Sequence, residues 1–296
     1  MYPYLLSQVL RGYWFLRPED VIAGQAVVNQ LLSGGYTDEK YSHLLSESSP
    51  MPQVCAGMDT ASYDKAPEGS TAVIALKGTL LKYGTWCSYG ADEIAARIRE
   101  ATAHPNISSI VLSIDSGGGA CDAVAPLVSA IADARAAGVP VVASCDLCAS
   151  AAYWIASACD RIIADNDISS EFGSIGVMCS FADARPMYEQ MGYKFHEIYA
   201  DQSVNKNEAF TLALTGDYSL IKNEVLNPLA VKFQEVVKAN RPALKPDVPG
   251  ILSGKMFYAG DSLQNGLIDR IGSFPEAVDI ARKLSAEYTI HNYINS

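Results

Sequence analysis

The amino-acid sequence predicts an α/β fold in which helices flank a largely parallel β-sheet. Apolar, β-branched runs such as 71–76 and 109–114 alternate with stretches whose apolar residues recur at helical spacing. Repeated β-α units of this kind form parallel sheets, because a helical crossover carries the chain back to start the next strand in the same direction.

The predicted elements begin after residue 68 and follow one another almost to the end of the chain. Strands are predicted at 71–76, 109–114, 139–144, 161–164, 174–178 and 194–199. Helices are predicted at 91–101, 122–136, 182–191 and 275–288, with a further helix after residue 150. The stretch 217–240 is helical throughout, and Pro228 is the expected kink.

Three parts are expected along the chain. Residues 1–65 form an accessory arm and linker, with one short amphipathic helix near the start and a second over 18–32. Residues 66–272 form the main domain, and residues 273–296 form a terminal helix and tail. The apolar surface of the arm and of the helix over 217–240 exceeds what one closed domain needs, which predicts a homo-oligomer.

Composition excludes several classes of protein. The 33 acidic and 22 basic residues leave a net charge of −11, which argues against a nucleic-acid partner. We expect no signal peptide and no membrane anchor, and hence a cytoplasmic protein. The seven cysteines are odd in number and scattered, as reduced, buried thiols are. Cys145 and Cys148 form one CxxC pair, a weak metal or redox signal without a second pair, so no metal is expected.

Ser150 is the most informative residue. It lies in a turn of small residues that leads into an apolar helix, and a serine hydroxyl becomes a nucleophile only when a neighbouring base takes its proton. No histidine lies between 150 and 191, and the chain has four in all, His43, His104, His196 and His291. If Ser150 is a nucleophile, its base is predicted to be a lysine. The alternative is a small residue where a helix packs closely.

Three glycines, Gly117–Gly119, follow directly after a predicted strand. Their backbone N–H groups lie at the sheet edge where α/β proteins bind ligands, which indicates an oxyanion hole with Ala151, at the start of the next helix, as second donor. A tight turn is the alternative, and a phosphate loop is disfavoured because no Lys-Ser/Thr pair follows. The Gly-Ser-Ile-Gly run at 173–176 marks a further close approach of backbone or ligand.

Together these segments resemble the S49 peptidases, which include signal peptide peptidase A and the capsid-maturation proteases of lambda-like phages. The resemblance covers about residues 70–272. It depends on Asp-Ser-Gly-Gly-Gly at 115–119, Ala-Ser-Ala-Ala-Tyr-Trp-Ile-Ala-Ser at 149–157, Gly-Ser-Ile-Gly-Val at 173–177 and Gly-Leu-Ile-Asp-Arg-Ile-Gly at 266–272. The N-terminal Leu-Leu-Ser and Leu-Arg-Gly-Tyr-Trp are closer to the phage-type members.

The resemblance implies a ClpP/crotonase-like fold and an oligomeric Ser-Lys peptidase without a cofactor. Ser150 matches the nucleophile, Gly118 and Gly119 match the oxyanion glycines, and Ser174 matches a serine near the lysine. Two features depart from the family pattern. Gly117 stands where proline is common, and Ala151 and Ala152 replace two glycines.

The lysine is the one site residue whose match to the family requires a gap in the alignment. The family places it in a loop that corresponds to 200–207, where an ungapped alignment reaches Val204 and the one lysine is Lys206. A two-residue insertion makes Lys206 the base. The alternative is that Lys206 is a solvated loop lysine and the protein is inactive.

These expectations combine into one function. The chain is predicted to be a Ser-Lys endopeptidase that processes phage or prophage capsid or scaffold proteins, in the cytoplasm or within a procapsid. The alternatives are a cytoplasmic protease like signal peptide peptidase, a crotonase-type acyl-CoA enzyme, and an inactive structural assembly protein.

Overall fold

The computed structural model describes residues 14–15, 61–84, 88–181, 183 and 185–295. The strands are β1 (Trp14–Phe15), β2 (Ser70–Lys77), β3 (Ile107–Ser116), β4 (Gly119–Ala120), β5 (Val141–Ala149), β6 (Arg161–Ala164), β7 (Glu171–Gly173), β8 (Met256–Tyr258) and β9 (Arg270–Ile271). The α-helices are α1 (Ala61–Lys65), α2 (Ala91–Ala103), α3 (Val124–Ala136), α4 (Ala151–Ser157), α5 (Arg185–Gln190), α6 (Glu208–Leu214), α7 (Asn227–Asn240), α8 (Ala259–Gln264) and α9 (Phe274–Asn295).

The main sheet is parallel in the order β2-β3-β5-β6-β9. Beyond the end of β6 the long strand β5 also pairs with β7, and β7 pairs with β8 in the one antiparallel contact of this sheet within the described residues. Because β3 and β5 are parallel neighbours, the turns that follow them meet at the same edge of the sheet. The predicted α/β fold, a largely parallel sheet flanked by helices, is confirmed.

Helices cover both faces of the sheet. On one face α2, α3, α4 and α7 enclose the larger core, in which side chains such as Ile98, Leu127 and Ile131 are completely buried. On the other face α9 packs Ala277 and Ala281 against the central strands. The helical stripe predicted for 122–136 therefore faces the core, as amphipathic spacing requires. Burial on both faces explains why β3 and β5 consist of nearly continuous apolar residues.

Two predicted strands are wrong. The strand expected at 174–178 forms earlier, as β7, because the positive φ angles of Gly173 (125°) and Ser174 (53°) end it. The residues expected to form a strand at 194–199 have no strand partner and are exposed, so their apolar pattern does not reflect a place in the sheet. Pro228 lies in the first turn of α7, and the π-helical turn directly before it (Ile221–Leu226) is the helix irregularity found at the predicted kink.

The two helices predicted within 1–32 lie outside the described residues. From the N-terminal region the structure describes β1, which pairs with β4, and α1, whose Tyr63 is buried in the main core. Within the described part of the chain, no helix combines the length and apolar character that crossing a membrane demands.

Candidate active site

Ser150 occupies a sharp turn between β5 and α4. Its φ of 53° and ψ of −117° belong to a region that residues other than glycine rarely adopt, at a cost of about 1–3 kcal/mol. Two hydrogen bonds hold the turn: Ser150 N–H donates to the Gly173 carbonyl at 2.9 Å, and the Ser150 carbonyl accepts from Trp154 N–H at 2.9 Å. The surrounding strands and helix thus impose a strained conformation on this residue.

The Ser150 hydroxyl lacks a hydrogen-bond partner. The residue is 1% exposed, and among the described residues its Oγ is the one buried side-chain nitrogen or oxygen atom without a partner. A buried hydroxyl without a hydrogen-bond partner lowers the stability of the fold by about 1–3 kcal/mol, so such a group calls for a functional explanation. Neither Ser174 nor Lys206 contacts this oxygen through a hydrogen bond in the chain described.

Hydrogen bonds to Leu80 and Ser116 hold one side of the glycine turn after β3, and the Gly119 amide lies on the other side. Gly118 N–H donates to Ser116 Oγ at 3.1 Å, so this predicted oxyanion donor already has a partner. Leu80 N–H donates to the Gly118 carbonyl, and Ala120 N–H donates to the Leu80 carbonyl. A Cβ atom at Gly119 would collide with that Leu80 carbonyl, which explains why a glycine is needed there.

Ala151 lies where a second donor is required. It is the first residue of α4 and is completely buried, and an N–H at this position has no partner within its own helix. Helix α4 contacts β4, which brings the glycine turn next to the start of the helix. The structure therefore gathers Ser150, Gly119 and Ala151 at one edge of the sheet, as the sequence predicts.

Ser174 lies in a second strained turn that supports the first. Its φ is 53°, and its N–H donates to the Lys255 carbonyl at 3.0 Å. Gly173 precedes it, and a Cβ there would collide with the same Lys255 carbonyl. Because the Gly173 carbonyl accepts from Ser150 N–H, the strand β8 holds the nucleophile turn through β7.

Lys206 lies on the surface of its own chain. It is exposed, and its N–H closes a turn by donating to the Ser203 carbonyl at 3.0 Å. Asn207, which follows it, has a φ of 64°; the described residues other than glycine with a positive φ are Ser150, Ser174 and this asparagine. All three adjoin or coincide with predicted site residues, and backbone strain concentrates at functional sites.

Residues 176–212, which we call the outer segment, contain no buried residue among those described. The segment includes α5 and Lys206. Its aromatic residues contact one another, as Tyr188 does Tyr193 and Phe195, yet many large apolar side chains remain exposed. These are Phe181, Met187, Met191, Tyr193, Phe195, Ile198, Tyr199 and Val204.

The CxxC pair belongs to the core. Cys145 and Cys148 are both completely buried on β5 and carry free thiols. Burial and the neighbouring Cys148 thiol raise the pKa of Cys145 well above its ordinary value, which keeps the thiol protonated and unreactive. Within the described residues, no cluster of three or more His, Cys, Asp or Glu side chains could hold a metal ion.

Sequence reasoning overlooked two supports of the site. Ser116 accepts from Gly118 N–H and donates to the Gly78 carbonyl at 2.6 Å, so it fixes the glycine turn. Its place directly before the glycines is a signal that could have been used. Lys255 supports Ser174 through its backbone carbonyl alone, and no side-chain pattern reveals such a role.

A strained serine between a buried strand and a buried helix, next to a glycine turn at the same sheet edge, is an arrangement typical of serine hydrolases with an α/β fold. The chain belongs to peptidase family S49, whose profile matches residues 133–287. The resemblance expected from the sequence is thereby confirmed.

Individual relatives agree with this assignment. Protease 4 of Haemophilus influenzae is 29% identical over 72% of this chain and 34% of its own length. The head-tail preconnector protein GP5 of Enterobacteria phage P21 is 28% identical over 64% of this chain and 37% of its own length. The chain thus spans about a third of the length of these relatives. A solved membrane-bound stomatin-specific protease aligns over 70% of this chain and 76% of its own, with 14% identity and a TM-score of 0.45.

Proposed function

We propose that this protein is a serine endopeptidase in which Ser150 is the nucleophile and Lys206 the general base. The observation that carries the proposal is the Ser150 hydroxyl, which is buried in a strained turn without a partner. For this hydroxyl to act as a nucleophile, a neighbouring base has to accept its proton. Among the predicted site residues, Lys206 is the one whose side chain can act as such a base.

The chemistry follows from these positions. A neutral lysine amine takes the Ser150 proton while Oγ attacks the carbonyl carbon of a peptide bond. The oxyanion that develops is stabilised by the N–H groups of Gly119 and Ala151, which lie at the same edge of the sheet as Ser150. The amine then returns the proton to the leaving nitrogen, and the same base activates the water that hydrolyses the acyl-enzyme.

The lysine has to be desolvated before it can act. An exposed lysine is protonated at neutral pH, whereas burial favours its neutral form. In the single chain Lys206 is exposed on the outer segment, whose apolar side chains are also exposed. We propose that these side chains dock on a neighbouring copy and carry Lys206 to the neighbour's Ser150, so that a homo-oligomer completes the site.

We also propose the substrate class. Proteins of the phage or prophage head, either capsid or scaffold proteins, are the expected polypeptide substrates, and the host cytoplasm or the procapsid is the expected location. The likeness to the head-tail preconnector protein of phage P21 supports this, as does the phage-like N-terminal pattern. No cofactor is required by the proposed chemistry.

A covalent probe tests the nucleophile. A fluorophosphonate should label the assembled protein on Ser150, and Ser150→Ala should lose both labelling and peptide cleavage while it keeps the fold. Ser157→Ala is the matched control. Ser157 is the last residue of α4 and is buried like Ser150, but its hydroxyl has a partner, since it donates to the Trp154 carbonyl at 2.6 Å. Equal labelling of the Ser150→Ala protein would refute the assignment.

A further inference from the structure

The N-terminal region reaches the candidate active site. Strand β1 pairs with β4 in antiparallel orientation, with Phe15 opposite Gly119 and Trp14 opposite Ala120. Strand β4 is the second half of the glycine turn that follows β3. A short extended piece of this chain therefore lies beside the backbone to which we assign the oxyanion.

The direction of the Gly119 amide follows from the bonds of its neighbours. The Gly118 carbonyl and the Ala120 N–H both bond to Leu80, on one edge of β4. Successive residues of a strand direct their N–H and C=O groups to opposite edges. The N–H and C=O of Gly119 consequently point to the other edge, where β1 lies.

The same rule assigns the two residues of β1. Phe15 lies opposite Gly119, so these two residues form the hydrogen-bonded pair of the ladder. Trp14 lies opposite Ala120, whose N–H is directed to Leu80, so the backbone groups of Trp14 point away from β4. Within the described residues of β1, the contact thus depends on the backbone of Phe15.

We propose that the segment around Phe15 is an internal competitor of substrate, which occupies the Gly119 edge until a peptide displaces it. The inference rests on the proposed function, because the Gly119 N–H is the donor assigned to the oxyanion. A substrate that needs this N–H cannot use it while Phe15 is paired. Since Phe15 and Gly119 are the one pair that exchanges hydrogen bonds among the described residues of β1 and β4, an extended peptide with more backbone contacts can replace the segment.

Two proline substitutions in the full-length protein test the proposal. Proline lacks the N–H that a strand residue donates to its partner. Phe15→Pro should remove the bond that Phe15 N–H donates to the Gly119 carbonyl and place the proline ring against that carbonyl, which loosens the pairing in which Gly119 N–H donates to the Phe15 carbonyl. The hydrogen-exchange rate of the Gly119 amide should then rise about tenfold or more, and the rate of fluorophosphonate labelling of Ser150 should increase several-fold. Trp14→Pro is the matched control, because it removes no ladder bond, and it should keep the Gly119 amide protected. Thermal melting checks that both variants are folded.

The outcomes separate this proposal from the proposed function. If the Gly119 amide exchanges at the same rate in the parent protein and both variants, the proposal that Phe15 competes with substrate is overturned, regardless of how active the variants are. The double variant Phe15→Pro with Ser150→Ala should exchange fast at Gly119 but take no probe. If it does take the probe, the nucleophile assignment fails, while the exchange rate alone still decides whether Phe15 covers Gly119.

Discussion

The turn that holds Ser150 and the outer segment that holds Lys206 are built in opposite ways. In β5, the Ser150 turn and α4 nearly every residue is buried, and a hydrogen bond to Gly173 of β7 helps hold Ser150 in a strained backbone conformation. In the outer segment no described residue is buried, and Ile198 is 93% exposed. Under our proposal, one chain positions the serine half of the site, whereas the lysine half requires contacts with a neighbouring copy.

This difference has a mechanistic consequence. Once a peptide has displaced Phe15, the backbone donors of the oxyanion hole need no further reorganisation at the moment of reaction, which is why rigid donors stabilise a transition state well. A lysine that is desolvated only upon assembly is protonated, and therefore inactive as a base, in the free chain. Under our proposal, activity depends on assembly even though the nucleophile is already in position.

The largest expected effect is that of removing the lysine. Lys206→Ala should lower kcat about a hundredfold or more, the usual contribution of a general base. Lys206→Arg should not restore activity, since a guanidinium stays protonated. Activity of the parent protein should rise with pH, because the neutral amine is the active form. Steady-state cleavage of a peptide substrate between neutral and alkaline pH measures all three.

Lys194→Ala is the matched control for that experiment. Lys194 is also an exposed lysine of the outer segment, and its loss should leave activity unchanged. An inactive Lys194→Ala together with an active Lys206→Ala would show that the loop was aligned wrongly. Full activity in both variants would refute the proposed Ser-Lys dyad.

A smaller but still large effect is expected at Gly173. A side chain there meets the Lys255 carbonyl and also needs a φ of 125°, so Gly173→Ala should shift the Ser150 turn and reduce kcat about tenfold or more. Gly176→Ala is the control, because the nearest atom to its new Cβ, Gly254 Cα, is 3.7 Å away. The two variants should differ in labelling rate far more than in melting temperature. Equal rates would mean that β7 does not position the nucleophile.

The fold was predictable where burial dictates the pattern. The runs that became β2, β3, β5 and β6 are apolar because both faces of the sheet are covered, and each predicted run overlaps its strand, although β3 and β5 extend further than predicted. The apolar residues at 194–199 also have a strand-like composition, but they lie on the surface of the outer segment. Composition does not distinguish a side chain that packs in its own core from one that is available to a partner.

The site was predictable to the same extent. That Ser150, Gly119 and Ala151 lie at one edge could be predicted because strand ends and helix starts meet there, whereas their catalytic roles stay predictions. The bond from Gly118 to Ser116 could not be predicted, since it depends on how the turn closes. The structure leaves the assignment of Lys206 a prediction, because the lysine is exposed in the single chain.

The smallest expected effect concerns Ile198. Its side chain makes little contact within the chain, so Ile198→Ser should leave the melting temperature of the dissociated protein unchanged. Burial of such a side chain stabilises an interface by about 1.5–3 kcal/mol, so the variant should dissociate at a higher concentration, as light scattering can measure. Ile168→Ser, which alters an exposed isoleucine outside the outer segment, should leave assembly as it is. Identical dissociation of both variants would contradict docking by the outer segment.

Mixing two inactive variants tests most directly whether Lys206 of one copy completes the site of a neighbouring copy. Ser150→Ala retains Lys206, and Lys206→Ala retains Ser150, so a mixed oligomer contains some sites that combine the intact serine of one copy with the intact lysine of another. After co-assembly of equal amounts, we expect peptide cleavage to return to about a quarter of the parent level, with the probe bound only to the Lys206→Ala copies. A mixture that stays inactive while mass measurement confirms mixed oligomers would contradict the claim that Lys206 completes a neighbour's site.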